Sequence, residues 1–148
     1  MRHDDLAEVN CSVARTWSVI GERWTMMIVR ELFLGRTRFD QFNASLGISR
    51  NVLADRLDAL TAEGIVDQVQ YDDSPRRFDY RLTEKGKDLY PILVALIGWG
   101  DRWKVEAPPM RLRHRVCAHE IEQVLRCPTC EVDVTRRDLV TDFAPDAW

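Results

Sequence analysis

The 148-residue sequence lacks the marks of a membrane, secreted or repetitive protein. No apolar run approaches the roughly 18 residues of a membrane span, and the first residues, Met1-Arg2-His3-Asp4-Asp5, lack the apolar stretch of a signal peptide. The chain has no low-complexity segment and no repeat of about 20–50 residues, which argues against solenoids and propellers. With 45% hydrophobic residues it can bury a core, so we expect a cytoplasmic globular protein of about one domain's length.

The sequence also lacks the residue sets of common enzymes. It contains no Ser-His-Asp set, no phosphate-binding loop and no HExxH motif, and its three histidines leave little for acid–base chemistry. A Cys-x-x-Cys pair is present at Cys127 and Cys130, but a thiol–disulfide oxidoreductase needs a βαβ context that the surrounding sequence does not supply. We therefore expect a protein that is not an enzyme.

The net excess of acidic groups in the whole chain argues against nucleic-acid binding. The chain has 21 Lys and Arg against 24 Asp and Glu, a net charge of −3. Residues 117–148, however, hold three of these basic groups and seven of the acidic ones, so they carry a net charge of −4 and the remaining 116 residues carry +1. The body of the chain is therefore compatible with a DNA partner, which favours a basic footprint.

Two consecutive prolines divide the chain. Ala107-Pro108-Pro109 ends any preceding helix and separates a body, residues 1–106, from a C-terminal extension, residues 107–148, with three of the four cysteines. The fold class is mainly α with a β-hairpin wing, plus a small β-rich extension. Apolar spacing and glycine stops predict helices over 11–20, 24–34, 38–46 and 50–63, strands over 65–71 and 77–82 joined by a turn at 72–75, and a long helix from 84 to about 104.

Two short helices joined at Leu46-Gly47-Ile48-Ser49 predict a helix-turn-helix, and the hairpin after them makes it a winged helix. The second helix begins with Ser49, Arg50 and Asn51, a polar start at which base edges would be read. In the major groove, Arg50 can pair with guanine and Asn51 with adenine. Arginines beside the first helix and at the hairpin tip are expected at phosphates or in the minor groove: Arg36, Arg38, Arg76 and Arg77.

Alternatives stay open for these arginines. The chain has 18 Arg and three Lys, so any single arginine can be a solvated surface charge instead of a DNA contact. Arg56 lies further along the second helix, where it either contacts a phosphate or pairs with Asp55 or Asp58.

A series of short motifs spans residues 11–103: Cys11-x-Val13-Ala14, Ile20-Gly21-Glu22-Arg23-Trp24-Thr25, Ile28-x-Arg30-Glu31-Leu32, Gly35-x-x-Arg38-Phe39, Leu46-Gly47-Ile48-Ser49, Leu53-x-x-Arg56-Leu57-x-x-Leu60, Glu63-Gly64-Ile65-Val66, Tyr80-x-Leu82-Thr83-x-x-Gly86 and Trp99-Gly100. Together they resemble the HxlR-type winged-helix transcriptional regulators, which are related in fold to MarR-type regulators. Ser12 departs from the family, in which a proline usually follows the early cysteine.

The resemblance implies a DNA-binding repressor or activator whose partner is double-stranded DNA. It also implies a homodimer that forms through the N-terminal helix and the helix near 86–104. A dimer places two recognition helices about one DNA turn apart, so we expect a pseudo-palindromic operator. The alternative is a protein-interaction module that uses the same scaffold and does not bind DNA.

Cys11 is expected at the start of the first helix, where the helix dipole favours a thiolate. In several members of the family that the chain resembles, a cysteine at this position senses oxidants or electrophiles, which implies a redox-sensing role for Cys11. The alternative is a small buried hydrophobic residue.

The extension carries a candidate metal site. Cys127-Pro128-Thr129-Cys130 can place two thiolates on one tetrahedral Zn²⁺, with Cys117 and His119 (or His114) as the remaining ligands. The strand-like runs 120–126 and 132–140 would complete a small zinc-ribbon-like hairpin. A redox pair of Cys127 and Cys130 and a set of free thiols are the alternatives.

Overall fold

The computed structural model describes residues 4–73 and 76–145, and it divides into two compact units whose described parts are residues 4–91 and 92–145. None of the helices in the described chain combines the length and the apolar character that a bilayer-spanning helix needs. After a short 3-10 helix, Asp4–Glu8, the elements in chain order are α1 (Ser12–Ile20), α2 (Thr25–Phe33), α3 (Phe39–Leu46), α4 (Arg50–Ala62), β1 (Val66–Asp73), β2 (Arg76–Leu82), α5 (Glu84–Lys87), α6 (Tyr90–Trp103), β3 (Leu125–Arg126), β4 (Asp133–Val134) and a 3-10 turn at Arg136–Asp138.

Helices α3 and α4 form the helix-turn-helix that the sequence predicts. Gly47 follows α3 with φ +63°, a left-handed conformation that glycine adopts without steric cost. Across this turn the Asn43 side chain donates a hydrogen bond to the Ile48 carbonyl (2.6 Å). The Ser49 hydroxyl oxygen then accepts from the Val52 backbone N–H (3.3 Å), so α4 begins at Arg50 as expected.

The core of the first unit lies between α2, α3, α4 and the wing. Leu53, Leu57 and Leu60 recur at helical spacing on α4 and are buried. Val52, which directly precedes Leu53, is exposed, because each helical step turns a side chain by about 100°. The α4 leucines belong to one cluster with Ile28, Val29, Leu32, Phe42, Ile48, Ile65, Val66 and Tyr80.

Strands β1 and β2 form the predicted antiparallel wing, with Val66 opposite Leu82. The α2–α3 connection is hydrogen-bonded to strand β2, because the Tyr80 N–H donates to the Thr37 carbonyl (2.7 Å). The wing is thereby attached to the start of α3. Ser74 and Pro75, part of the predicted turn, lie outside the described residues.

The last predicted helix is broken in two. It was expected to run from 84 to about 104, but α5 ends at Lys87 and α6 begins at Tyr90. Pro91 explains the break, because it has no N–H to donate to the Lys87 carbonyl and its ring would clash with that carbonyl in a continuous helix. In the first turn of a new helix the same proline is tolerated.

The boundary between the units falls after Pro91, whereas the double proline suggested residue 106. The reason is that α6 packs with the extension: a cavity of about 120 Å³ is lined both by α6 and by the segments 108–112 and 120–123. In the extension, β3 and β4 pair over two residues each, so most of the predicted strand-like runs 120–126 and 132–140 does not form strand. No described residue between 104 and 145 is buried.

Candidate nucleic-acid interface

A groove of about 640 Å³ lies between the first turns of α3 and α4 and the wing. Three of the arginines expected at DNA, Arg38, Arg50 and Arg77, line it together. Tyr80 lies in its wall, where burial, with a smaller contribution from the Asp58 charge, raises the pKa of the phenol. The full lining is Arg38, Phe39, Asp40, Gln41, Arg50, Tyr71, Arg77, Phe78 and Tyr80.

Arg50 is held at the edge of this groove by α3. Its Nη1 donates to Asp40 Oδ1 (3.0 Å), and its guanidinium carbon lies 4.8 Å from the centre of the Phe39 ring. Stacking on a ring orients a guanidinium while leaving other N–H groups free to donate. Asn51 is exposed beside it. Ser49, also expected at DNA, uses its hydroxyl to cap α4 and thereby positions both neighbours.

Arg38 is held on the wing side of the groove. Its guanidinium carbon lies 4.7 Å from the centre of the Tyr71 ring, and its Nε donates to Asp79 Oδ1 (3.4 Å). Arg77 is exposed on β2. Arg76 begins the same strand, but its side chain lies outside the described residues.

Arg36 is placed differently, against a buried carboxylate. Its Nη1 lies 2.7 Å from Oε2 of Glu31, which is fully buried, and Arg30 Nε donates to the other carboxylate oxygen (3.0 Å). Burial is the largest single influence and raises the pKa of Glu31. Hydrogen bonds from Ser45 and Arg30, together with the charges of Arg30 and Arg36, outweigh it and leave the pKa below its ordinary value. Arg36 therefore helps to neutralise the buried carboxylate of Glu31. This ion pair connects α2 to the segment between α2 and α3.

Arg56 lies away from the groove. Its Nη1 is 3.4 Å from Glu22 Oε2, so its ion-pair partner is neither Asp55 nor Asp58. Five helical positions separate it from Asn51, a rotation of about 140° around α4. Its place is the contact between α4 and the α1–α2 connection, and the structure does not bring it to the other arginines.

The cysteine positions divide between the two units. Cys11 is partly exposed at the N-cap of α1, and its side chain makes no capping hydrogen bond. In the extension, Cys117 Sγ lies 3.1 Å from Nδ1 of His114, the alternative to His119. The N–H groups of Cys130 and Thr129 donate to Cys127 and lower the pKa of its thiol. Within residues 4–73 and 76–145, no three potential metal ligands are gathered at one point.

Sequence reasoning missed the residues that hold the arginines. Asp40 lies ten positions before Arg50 and comes close only because the helix-turn-helix folds α3 beside α4. Tyr71 reaches Arg38 only through the pairing of the wing with the α2–α3 connection. Glu31 carried a readable signal, since a single acid in a nearly all-apolar helix indicates a buried charge that needs a cationic partner.

A helix-turn-helix followed by a wing defines the winged-helix class of transcriptional regulators, and it is the arrangement found here. A family model described as HxlR-like helix-turn-helix matches residues 19–108, and the chain belongs to this family. It is 41% identical over 136 residues to the uncharacterized HTH-type transcriptional regulator Rv3095 of Mycobacterium tuberculosis, a match that covers 90% of this chain and 86% of that protein.

Solved structures support the same class. The crystal structure of the candidate transcription factor PA1607 matches with a TM-score of 0.84 and 33% identity, over 93% of this chain and 98% of that one. The redox regulator HypR in its reduced form matches with a TM-score of 0.59 and 32% identity, over 62% of this chain and 92% of that one. The family and these relatives are transcriptional regulators and not enzymes, which confirms the predicted family, fold class and non-enzymatic function.

Proposed function

We propose that the protein is a dimeric repressor that binds double-stranded DNA at a pseudo-palindromic operator. The observation that carries this proposal is the groove in which Arg38, Arg50 and Arg77 lie between the start of α4 and the wing. A recognition helix reads bases with its N-terminal residues while flanking segments contact the backbone. The groove has both a helix start that can contact bases and flanking arginines that can contact the DNA backbone.

In this proposal, exposed residues in the first turns of α4 contact the bases. Arg50 donates two hydrogen bonds to a guanine, and Asn51 pairs with an adenine. Asp55 lies one turn below Asn51 on the same exposed face, where its carboxylate can accept from a cytosine amino group. Arg38 and Arg77 contact phosphates beside the read bases and fix the register of the helix.

Exposed tryptophans support a homodimer through α1 and α6, the two helices that the family resemblance implies. Trp17 on α1 and Trp99 and Trp103 on α6 are each more than half exposed. Large aromatic side chains are enriched at protein interfaces, and a second copy of the chain would cover them. We expect sedimentation to give a dimer for the wild type and a shift toward monomer when Trp99 and Trp103 are both replaced by Ala.

A fluorescence-anisotropy titration tests DNA binding. The labelled duplexes are taken from the DNA upstream of the protein's own gene and are compared with shuffled duplexes of the same composition. The proposal expects tighter binding to the upstream duplex and a steep loss of affinity as salt rises, because binding releases counterions from the phosphates. Equal, salt-independent binding to both duplexes, or no binding at low salt, would favour the interaction-module alternative.

We further propose that Cys11 makes the operator complex sensitive to oxidants. The support is its partly exposed position at the N-cap of α1, a helix assigned to the dimer interface, and the similarity of the chain to the redox regulator HypR. Oxidation of a thiol at this position changes its size and polarity, which would alter the packing of α1.

The test compares operator affinity before and after oxidant treatment and after reduction. The wild type is expected to lose affinity reversibly, whereas Cys11→Ser stays insensitive. Ser12→Ala is the matched control, because it changes the neighbouring exposed side chain at the same helix start but keeps the Cys11 thiol, and it should respond like the wild type. A response that persists in Cys11→Ser refutes the assignment.

A further inference from the structure

The extension contains an internal repeat of ten residues. Residues 112–121, LRHRVCAHEI, align with residues 125–134, LRCPTCEVDV, at an offset of 13 positions. The leucine, the arginine and the cysteine at the sixth position (Cys117 and Cys130) are identical in the two copies. Each copy ends with an acidic residue followed by a β-branched one. The third position is His114 in the first copy and Cys127 in the second. Each copy therefore carries a pair of potential metal ligands with two residues between them.

The two copies also share one backbone turn. In the first, which we call the HxxC turn (residues 114–119), the His114 N–H donates to the His119 carbonyl and the Ala118 N–H donates to the His114 carbonyl, both at 2.8 Å. The turn closes with Ala118 in the left-handed region, at φ +59°. Such a conformation is unusual for a residue with a β-carbon.

The second copy, the CxxC turn (residues 127–132), repeats these bonds position by position. The Cys127 N–H donates to the Val132 carbonyl (3.0 Å), and the Glu131 N–H donates to the Cys127 carbonyl (2.9 Å). Glu131 has φ +55°, and among the described residues it and Ala118 are the non-glycine residues with positive φ. Both turns are flanked by an antiparallel Arg–acid backbone pair, Arg113 with Glu120 and Arg126 with Asp133.

In both turns the side chain of the first ligand lies against the second ligand residue. In the HxxC turn, His114 Nδ1 lies 3.1 Å from Cys117 Sγ. In the CxxC turn, the Cys130 N–H approaches Cys127 Sγ at 3.5 Å, so the chain curls around that sulfur. Two neighbouring ligands on a tight turn are half of a tetrahedral zinc site, and a zinc ribbon uses two such turns.

The extension also has little else to hold it together. No described residue from 104 to 145 is buried, and Val116, Leu125, Val132 and Phe143 are each more than half exposed. A segment of this size without a core usually depends on a cross-link, a metal or a partner for its stability. Bound zinc contributes folding free energy directly in such small units.

We propose that the HxxC turn and the CxxC turn together bind one Zn²⁺ through His114, Cys117, Cys127 and Cys130. His114 replaces His119 of the sequence-based ligand set, because His114 stands at the position of Cys127 in the repeat and its Nδ1 lies 3.1 Å from Cys117 Sγ, whereas His119 stands at the position of Val132. Each turn presents two of the four ligands. Among the described residues no three potential ligands lie together, so the two turns must approach each other to share one ion. Three thiolates and one imidazole are a ligand set typical of structural zinc.

The experiment measures metal on the full-length protein purified without chelator. Elemental analysis is expected to give one zinc per chain, and replacement by Co²⁺ should give the visible absorption of a tetrahedral ion with thiolate charge transfer. His114→Ala and Cys117→Ser should each lose the stoichiometric metal. His119→Ala is the matched control, because it removes the neighbouring imidazole and should keep the metal and the Co²⁺ spectrum.

Several outcomes would overturn this site. They are a wild type that contains no zinc and gives no tetrahedral Co²⁺ spectrum, metal loss in His119→Ala equal to that in His114→Ala, or a disulfide between Cys127 and Cys130 in the isolated protein. Metal content is read without DNA, so its result is independent of the operator-binding proposal.

Discussion

Arg50 allows DNA binding and folding to be separated by one substitution. Its ion pair with Asp40 joins two exposed side chains, 67% and 85% accessible, at 3.0 Å. Exposed pairs of this kind contribute about 0.2–1 kcal/mol to stability, so Arg50→Ala should lower the free energy of unfolding by less than about 1 kcal/mol. At the operator, loss of a bidentate contact to guanine costs about 1–3 kcal/mol in each half-site. That corresponds to an increase in Kd of about 5- to 150-fold per half-site.

Arg56→Ala is the matched control for this prediction. It removes the same charge from the same helix, but Arg56 pairs with Glu22 and lies outside the groove. We expect it to change operator affinity less than about twofold under conditions where Arg50→Ala has its full effect. Anisotropy titrations of both variants, with urea unfolding as the stability check, make the comparison. Equal losses of affinity in the two variants would refute the assignment of the groove.

Three further predictions follow from neighbouring contacts. Asp40→Ala should tighten DNA binding a few-fold in the same titration, because it removes a carboxylate that competes with DNA for Arg50 and repels phosphates; weaker binding would contradict this. Gly47→Ala should lower the free energy of unfolding by about 1–2 kcal/mol through its positive φ. Gly98→Ala, a helical position with open space around it, should be neutral or stabilising in the same urea unfolding, and identical behaviour of the two glycine variants would argue against strain at the turn. Glu31→Gln should cost about 1–3 kcal/mol at neutral pH, because the buried carboxylate loses its charged hydrogen bonds. The folded-state pKa of Glu31 is lowered, so its contribution is complete above the ordinary pKa of about 4.3 and is lost as the pH falls through the lower folded value. The difference from the wild type should therefore shrink in acid, and urea unfolding at a series of pH values checks whether it instead stays constant.

The elements that the sequence predicted well are those with local signals. Gly47 and Ser49 set the end of α3 and the start of α4 through their own backbone and side-chain bonds, so the helix-turn-helix boundaries were readable. The alternation of apolar and polar residues predicted the strands of the wing, because this pattern is also a local property of the sequence. Pro91 was an equally local signal, and the break between α5 and α6 shows that it outweighs the apolar pattern that continues on either side of it.

The partners of the charged groups were not predictable in the same way. Arg50 with Asp40, Arg56 with Glu22 and Arg38 with Tyr71 are contacts between different elements, and only the packing of those elements decides them. Charge type alone could place these arginines near the helix-turn-helix but could not separate the groove from the opposite side of α4.

The ligand set that we propose for the extension rests on a signal that was present in the sequence. The repeat of residues 112–121 and 125–134 has a period of 13 residues, shorter than the periods of solenoids and propellers. Aligning the copies favours His114 over His119 in the proposed set, because His114 aligns with Cys127 and His119 aligns with Val132.

A footprint on the DNA upstream of the protein's own gene tests the central claim most directly. A dimer with two α4 helices should protect two half-sites of inverted sequence, with centres about one helical turn apart, and Arg50→Ala should weaken both equally. Protection of a single half-site, or none at low salt, would contradict a dimeric operator-binding regulator.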